Sequence, residues 1–403
     1  VFHAHHPELK ISYAWDEKTK LAKLSVQQTQ KVDANIVLFH VPLPVRFKVS
    51  DQVVDRKLQI TKTAEDFYFP LAKAPSIVLI DPDVTLLAKF SFTPSTALLH
   101  AQLADDSDAI GRLLAVELLA KRKDKTTREK LKHALQTDSF YAVRIAASKA
   151  LRGIGGDDAL AALTDSTDQP NAKVRQQVIS NIASQYKPAA LAALKQSLAQ
   201  EKNPAIRSRI INGLTGHNDK EARKLISQAL DSESFRHQLA DAAVSALRKQ
   251  DIPANIAKIR AALENDGKKF TTNGYASGLR ALGYLARNQK NRTGIREFLI
   301  GHVNNPKRRV ALASINALGQ LGDPRAIAVL DKFTGAAEDD PARKAAEQAI
   351  EKLRAGRKPV DDFKNLRQEV TSLKQSNSKL TKELDDLKKR FDAVIGKKKA
   401  EKK

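Results

Sequence analysis

The sequence predicts a multidomain protein of β and α parts. We expect an antiparallel β-sandwich over residues 1–97, an all-α superhelical solenoid over 98–357, a coiled-coil helix over 358–395 and a basic tail over 396–403. Three observations predict these segments. Apolar residues alternate with polar ones in the first, an arginine recurs about every 30 residues in the second, and apolar residues recur at spacings of three and four in the third.

Composition limits the possible chemistry of the chain. The 403 residues include no Cys, which excludes disulfides, thiolate metal sites and cysteine nucleophiles. They also include no Met, and the chain starts at Val1, so we interpret it as a piece of a longer protein. The longest apolar run is far shorter than the roughly 18 residues that a transmembrane helix needs. We therefore predict no membrane span.

Short alternating runs fill the first 97 residues, as expected for strands that bury one face. The clearest are Leu9-Ile11-Tyr13, Phe67-Phe69-Leu71 and Val78-Ile80. Turn-forming residues such as Ser50-Asp51 and Asp81-Pro82-Asp83 separate them. The segment is long enough for about six to eight strands, and this spacing is typical of a β-sandwich. Trp15, the only tryptophan, is predicted to pack against the sheet.

Five motifs in this segment follow one another in a distinctive order. They are His6-Pro7-Glu8-Leu9, Ser12-Tyr13-Ala14-Trp15-Asp16, Leu24-Ser25-Val26-Gln27-Gln28-Thr29-Gln30, Phe39-His40-Val41-Pro42-Leu43 and Ile80-Asp81-Pro82-Asp83. Together they resemble the β-sandwich that follows the catalytic domain in zinc aminopeptidases of the aminopeptidase N-like (gluzincin) family. The same sandwich occurs in a large TBP-associated factor that is not a peptidase.

The resemblance implies the non-catalytic C-terminal part of a zinc aminopeptidase. The family's H-E-x-x-H zinc motif is absent, and its G-x-M-E-N loop cannot form without Met. We therefore predict no catalytic, cofactor-binding or metal residue in this chain, and no activity when it is isolated. Zinc is implied only for the missing catalytic domain. The sandwich would brace that domain, and the solenoid would limit the access of peptide substrates.

Three histidines near the start, His3, His5 and His6, form the only histidine cluster. Imidazole is a common metal ligand, so a metal site is one interpretation. The spacing provides neither a helical i, i+4 pair nor a matched carboxylate. An exposed connector is the interpretation we favour.

A repeat becomes visible after about residue 98, where the apolar period changes from 2 to 3.6. Arginines recur in phase with apolar residues at the starts of predicted helices: Arg112, Arg144, Arg175, Arg207, Arg236, Arg309 and Arg343. Companion helices lie between them, so each unit is a helix pair of about 30 residues. A single pair cannot bury its apolar face, and stacked neighbours can.

One stretch of the repeat, from Asp138 to Leu151, reads Asp-x₄-Val-Arg-x₂-Ala-x₂-Ala-Leu and resembles HEAT repeats in their short bacterial form. In such repeats the phased arginine usually pairs with an Asp of the adjacent turn. The resemblance therefore implies a structural role for the seven arginines. Binding of phosphate or of an acidic peptide is the alternative.

The positive charge is concentrated in the solenoid. The whole chain carries a net +23, of which residues 101–358 contribute +16. Aromatic residues that could stack on bases are sparse there. We therefore predict that nucleic acid is not the partner, and acidic polypeptides or acidic surfaces are alternative ligands for this charge.

Heptad spacing appears after residue 358. Position a holds Phe363, Val370, Asn377, Leu384 and Phe391, and position d holds Leu366, Leu373, Leu380 and Leu387. Leucine at d with one Asn at a favours a parallel dimer and fixes its register, so we predict a parallel homodimer through residues 363–394 with Asn377 as the register residue. A single amphipathic helix that folds back on the solenoid is the alternative. The tail at 396–403 is interpreted as solvated, with a weak electrostatic anchor as its alternative.

Three functional hypotheses remain open. The first is the non-catalytic part of an aminopeptidase described above. The second is a peptidase-derived scaffold that lacks catalysis altogether. The third is an independent basic HEAT scaffold that binds acidic partners.

Overall fold

The computed structural model describes residues 5–32, 36–50, 52–265, 267–355, 370–371 and 373–389. The chain divides into two compact units, Val1–Gly213 and Leu214–Lys403. β-sheets come first and helical repeats follow, which confirms the predicted fold class.

Among the described residues of the first unit, seven strands form the sandwich. They are β1 (Glu8–Asp16), β2 (Leu21–Gln28), β3 (Val41–Val49), β4 (Gln52–Ile60), β5 (Ala64–Pro70), β6 (Ile77–Ile80) and β7 (Lys89–Phe92). One sheet has the order β5-β2-β1-β7 and the other β4-β3-β6. All neighbours are antiparallel except β1 and β7, which run parallel with Leu9 opposite Phe90.

Side chains that alternate along the strands fill the core of the sandwich. Leu24, Phe47 and Ile60 are fully buried, and the rings of Phe47 and Phe69 lie 5.2 Å apart between centroids. Burial of such side chains is the main stabilising term of a sandwich. Trp15 packs at the edge of this core, and its indole N–H donates to Glu17 Oε2 at 2.7 Å.

Eight helices follow in the first unit: α1 (Thr96–Leu103), α2 (Ala109–Leu119), α3 (Lys125–Thr137), α4 (Tyr141–Ile154), α5 (Asp157–Thr164), α6 (Ala172–Ala183), α7 (Pro188–Gln200) and α8 (Pro204–Leu214). Side-chain caps start several of them. Asp108 accepts from the backbone N–H of Gly111, and Asp124 accepts from that of Thr127. Such caps satisfy N–H groups that have no partner within the helix.

The helices that follow in the second unit are α9 (Lys220–Leu230), α10 (Gln238–Gln250), α11 (Asn255–Asn265), α12 (Thr272–Ala286), α13 (Thr293–Ile300), α14 (Arg308–Leu321), α15 (Ile327–Leu330) and α16 (Pro341–Arg354). Helices α10, α12, α14 and α16 pack side by side in that order. Gly283 of α12 faces the backbone of Ala317, and Gly319 of α14 faces Ala349, so these helices approach closely.

One predicted helix start is wrong. Arg236 lies in a short 3₁₀ turn, Phe235–His237, and α10 begins only at Gln238. Arg236 and His237 both have a φ of 55°, in the left-handed region. Two successive left-handed residues cannot continue a right-handed helix.

The predicted coiled coil lies partly outside the described residues. Residues 370–371 and 373–389 are helical, which includes Asn377. The positions at 363, 366 and 391 and the whole basic tail are outside the described part of the chain.

Candidate functional site

The phased arginines are the predicted site residues, and Arg112 makes the most buried contacts among them. Its Nε donates to Asp138 Oδ2 at 2.8 Å and its Nη2 to Asp138 Oδ1 at 3.1 Å. Its Nη1 donates to the carbonyl of Asp105 at 2.9 Å. The side chains of Arg112 and Asp138 are only 2% and 5% exposed. The hydrogen bond to Asp138 raises the pKa of Arg112. Arg112 therefore stays charged and holds the α1–α2 and α3–α4 loops together.

Two further arginines of the first unit also connect neighbouring turns. Arg175 donates to Glu201 through Nε at 2.8 Å and Nη2 at 3.4 Å, and to the carbonyl of Gln169 at 2.8 Å. Burial alone would raise the pKa of Glu201, but the hydrogen bonds from Arg175 and from the backbone N–H of Asn203, together with the charge of Arg175, outweigh burial and lower the pKa. Arg144 instead donates to Gln169 Oε1 at 3.2 Å and to the carbonyl of Asp138.

Arg207, on α8, departs from this pattern. Its buried Nε has no hydrogen-bond partner within the part of the chain that the structure describes. The pairing with an acid that the repeat implies therefore stays a prediction at this position.

Within the described residues of the second unit, the phased arginines do not pair with an acid of the adjacent turn. Arg236 lies over the ring of Phe235, 5.2 Å from its centroid. Arg309 donates to the side-chain oxygen of Asn273. Arg343 pairs with Glu347 of its own helix at 2.8 Å and donates to the carbonyl of Ala336 at 3.0 Å.

In the second unit, arginines outside the predicted set form ion pairs with acidic residues. Arg287 donates to both oxygens of Asp251 at 2.8 Å, and its side chain is 2% exposed. Arg296 donates to Asp323 at 2.7 Å. Arg287 follows the end of α12 and Arg296 lies inside α13, whereas the repeat pattern runs through arginines at helix starts.

Arginines of α10, α12 and α14 form a basic surface, and two of them, Arg248 and Arg280, were not among the predicted site residues. Arg248 and Arg280 are half-buried there, and Arg309 is exposed. We call the exposed surface of these three helices the α10–α12–α14 face. A sequence signal for it exists, since neither α12 nor α14 contains an acidic residue.

The histidines are placed as structural or exposed groups. His5 and His6 are exposed, and His3 lies outside the described residues. His302 bonds to the hydroxyl of Tyr275 and to the carbonyl of Phe298, both at 2.8 Å. Across residues 5–355 and 370–389, apart from the few not described, no three metal-binding side chains lie together. No described helix is long and apolar enough to cross a membrane.

Asn377 lies on an exposed helix, where its backbone carbonyl accepts from the hydroxyl of Thr381 at 2.8 Å. The leucines at the predicted positions a and d are exposed as well. Leu373, Leu380, Leu384 and Leu387 are 54–68% exposed.

Similarity to known proteins agrees with the repeat fold. A family model of HEAT repeats matches residues 96–183 and 275–351. The helical part of this protein therefore contains HEAT repeats, and it follows an N-terminal β-sandwich. No curated protein sequence matches the chain.

Three solved structures resemble the chain at low identity. Aminopeptidase A of Legionella pneumophila, in complex with aspartic acid, is 12% identical with a TM-score of 0.40, over 87% of this chain and 49% of that one. An engineered protein is 17% identical with a TM-score of 0.36, over 64% and 78%. Human deoxyhypusine hydroxylase, in complex with glycerol, is 15% identical with a TM-score of 0.25, over 60% and 99%. This chain spans about half the length of the aminopeptidase, and likenesses this weak assign no activity.

Proposed function

We propose that this chain is a non-catalytic scaffold, in which a β-sandwich is fixed to HEAT repeats that hold other polypeptide segments. A continuous set of polar contacts between the two parts of the first unit carries the proposal. Lys48 of β3 binds the carboxylate of Asp105, and its Nζ also donates to Ser107 Oγ at 2.8 Å. The Asp105 carbonyl in turn accepts from Arg112, which binds Asp138.

This connection joins the sandwich to the repeats without a flexible linker. Lys48 and Asp105 are 21% and 12% exposed, so water screens their attraction less than that of a surface pair. The last strand ends at Phe92 and the first helix starts at Thr96. A rigid bracket of this kind suits a protein that sets the position of its partners.

The second part of the proposal concerns the identity of the domain that the sandwich and repeats would hold. The sandwich motifs resemble those of gluzincin aminopeptidases, and in the structure Glu8–Asp16 and Leu21–Gln28 pair as one hairpin. We propose that the sandwich braces the catalytic domain of a zinc aminopeptidase and that the repeats border the path of its peptide substrates. Zinc and the reaction would belong to that other domain.

The test compares the isolated chain with the polypeptide that the natural source makes. An antibody against the repeats would capture the natural protein, and intact mass would give its length. We expect a longer polypeptide that hydrolyses aminoacyl anilides and is inhibited by a zinc chelator. The isolated chain should show no turnover with added zinc.

The outcomes separate the two levels of the proposal. A natural protein without chelator-sensitive activity would overturn the aminopeptidase assignment and leave the scaffold. Turnover by the isolated chain that survives repurification would overturn both.

A further inference from the structure

The α10–α12–α14 face carries polar side chains on all three helices. Each helix buries most of its apolar residues and leaves a stripe of mostly polar residues, partly or fully exposed, at helical spacing. The stripes are Asp241, Ser245 and Arg248 on α10, Asn273, Ser277, Arg280 and Tyr284 on α12, and Arg309, Asn316 and Gln320 on α14. The packing order of the helices places the α12 stripe between the other two.

Positive charge on this face is not balanced by the helices themselves. Asp241 is the only acidic residue in the three helices. Its carboxylate is already engaged by the hydroxyl and the backbone N–H of Thr271. Burial also raises the pKa of Asp241, which weakens its value as a counter-charge.

Arg280, at the centre of the face, has no partner among the described residues. It is half-buried, and no hydrogen bond or ion pair to it occurs within that part of the chain. Burial lowers the pKa of Arg280, and the nearby charges of Arg248 and Arg309 lower it further. A partly desolvated guanidinium without an acceptor is unfavourable, because lost hydration is not replaced.

A neighbouring arginine shows how this fold pairs a buried guanidinium that has a structural role. Arg287, directly after the same helix, binds both oxygens of Asp251. Arg248 resembles Arg280 in lacking an acid partner, and its buried Nε has no hydrogen-bond partner among the described atoms. The face therefore holds unused guanidinium donors close to an arginine that is paired with an acid.

We propose that the α10–α12–α14 face binds the carboxylates of an acidic peptide segment, with Arg280 as the central contact and Arg248 and Arg309 beside it. The guanidinium fork matches a carboxylate in a bidentate geometry. The inference deepens the proposed scaffold function and rests on it, because it names the chemistry of a segment that the repeats hold.

Two observations favour a peptide over the other polyanions. The ring of Tyr284 is already covered by Arg287 and Arg248, whose guanidinium carbons lie 3.8 and 4.9 Å from its centroid. It is thus not available to stack on a base, which single-stranded nucleic acid requires. Arg248 and Arg280 are half-buried, so a flat membrane surface reaches them less well than an extended chain does.

The experiment measures the binding of fluorescein-labelled octaglutamate to the full chain by fluorescence anisotropy at low salt. We expect Arg280→Gln to weaken binding about tenfold, since one charge-assisted bidentate contact is lost. Arg248→Gln should weaken it as well. Arg260→Gln is the matched control: it removes the same charge from α11, where Arg260 pairs with Glu264 at 2.8 Å. The control should leave the affinity within about twofold, as an exposed pair contributes little.

Thermal unfolding and competition experiments can contradict the proposal. Arg280→Gln should melt at the same temperature as the wild type or higher, because an unsatisfied cation is removed, whereas Arg287→Gln should melt lower. A lower melting temperature for Arg280→Gln would overturn the proposal, as would equal losses of affinity in Arg280→Gln and Arg260→Gln. Tighter binding of oligothymidylate, or displacement by equimolar inorganic phosphate, would also overturn it. Failure here differs from failure of the scaffold function, which turnover by the isolated chain would reveal.

Discussion

Arginines of the two units differ in their partners, most clearly between Arg112 in the first unit and Arg280 in the second. In Val1–Gly213, Arg112 and Arg175 are held by Asp138 and Glu201 and connect neighbouring turns. In Leu214–Lys403, Arg280 and its neighbours stand on an open helix face without an available acid. Arginine therefore stabilises the repeats wherever an acid lies beside it, as Arg287 and Arg296 also do in the second unit, and on the α10–α12–α14 face it is left for a ligand. The nearby carboxylate decides which role applies, and the arginine itself does not.

The largest effect is expected when the buried, paired Arg112 is replaced. Arg112→Met should lower the free energy of unfolding by about 3–5 kcal/mol, because it leaves the Asp138 carboxylate buried without its partner. Urea denaturation followed by circular dichroism measures the loss. Lys132→Met is the control, since Lys132 and Asp165 are 36% and 55% exposed, and such pairs contribute less than about 1 kcal/mol. Equal losses in both variants would contradict the structural role of Arg112.

Helix packing offers a second contrast, between Gly283 of the second unit and Gly153 of the first. A Cβ on Gly283 would clash with the backbone of Ala317, coming within 2.9 Å of its carbonyl carbon. Gly283→Ala should therefore lower the unfolding free energy by about 1–3 kcal/mol. A Cβ added to Gly153 of the first unit would meet nothing within 4 Å, so Gly153→Ala should raise it by about 0.5–1 kcal/mol. Thermal melts of the two variants test the pair, and a stabilised Gly283→Ala would rule out the close contact.

Asp323 shows that the second unit also pairs arginine with an acid. Burial opposes its ionisation, but hydrogen bonds from Arg325 and Arg296 outweigh burial and lower its pKa to about 2. A carboxyl whose pKa falls on folding stabilises the fold above its unfolded pKa, and this contribution disappears as the pH falls toward 2.

Asp323→Asn should thus lose about 2 kcal/mol at neutral pH. The wild type and the variant should converge between about pH 4 and 2. Denaturant titrations across this range measure the difference. Asp157→Asn serves as control because Asp157 is exposed, and a constant gap for Asp323→Asn at all pH values would contradict the assigned pKa.

The smallest effect on the repeats is expected from the C-terminal helix. Asn377→Leu replaces the proposed polar residue at position a and should strengthen self-association while loosening its register. Sedimentation of the wild type and the variant measures this, with little change in the unfolding of the repeats. If both proteins are monomeric, the parallel homodimer through residues 363–394 is rejected.

The spacing of apolar residues and of arginines in the sequence predicted most of the fold. Alternation located β1 and β2, and the phased arginines located α4, α6 and α14. The parallel pairing of β1 with β7 was not predictable, because it joins segments about 80 residues apart that carry no mark of their partner. The left-handed turn at Arg236 was missed because neither residue in it is Gly or Asn.

The arginine pairs were only half predictable. Arg112 and Arg175 were found because they recur at the spacing of the repeat, and their acids lie in the neighbouring turns. Arg280 was missed, since its importance comes from what surrounds it in space. The absence of acidic residues from α12 and α14 is visible in the sequence, but only the packing of the helices shows that it concerns a single surface.

The glycine contacts of the second unit have a mechanical consequence. Repeat arrays bend where a layer of side chains lets one helix slide over the next. Between α12 and α14, Gly283 brings backbone against backbone, and between α14 and α16, Gly319 lies close to the Cβ and Cα of Ala349. Helices in such close contact have few side-chain atoms between them that could rearrange. The packing of α12, α14 and α16 should therefore resist deformation. The spacing between Arg280 and Arg309 is then set before any peptide arrives, and binding loses less entropy to ordering.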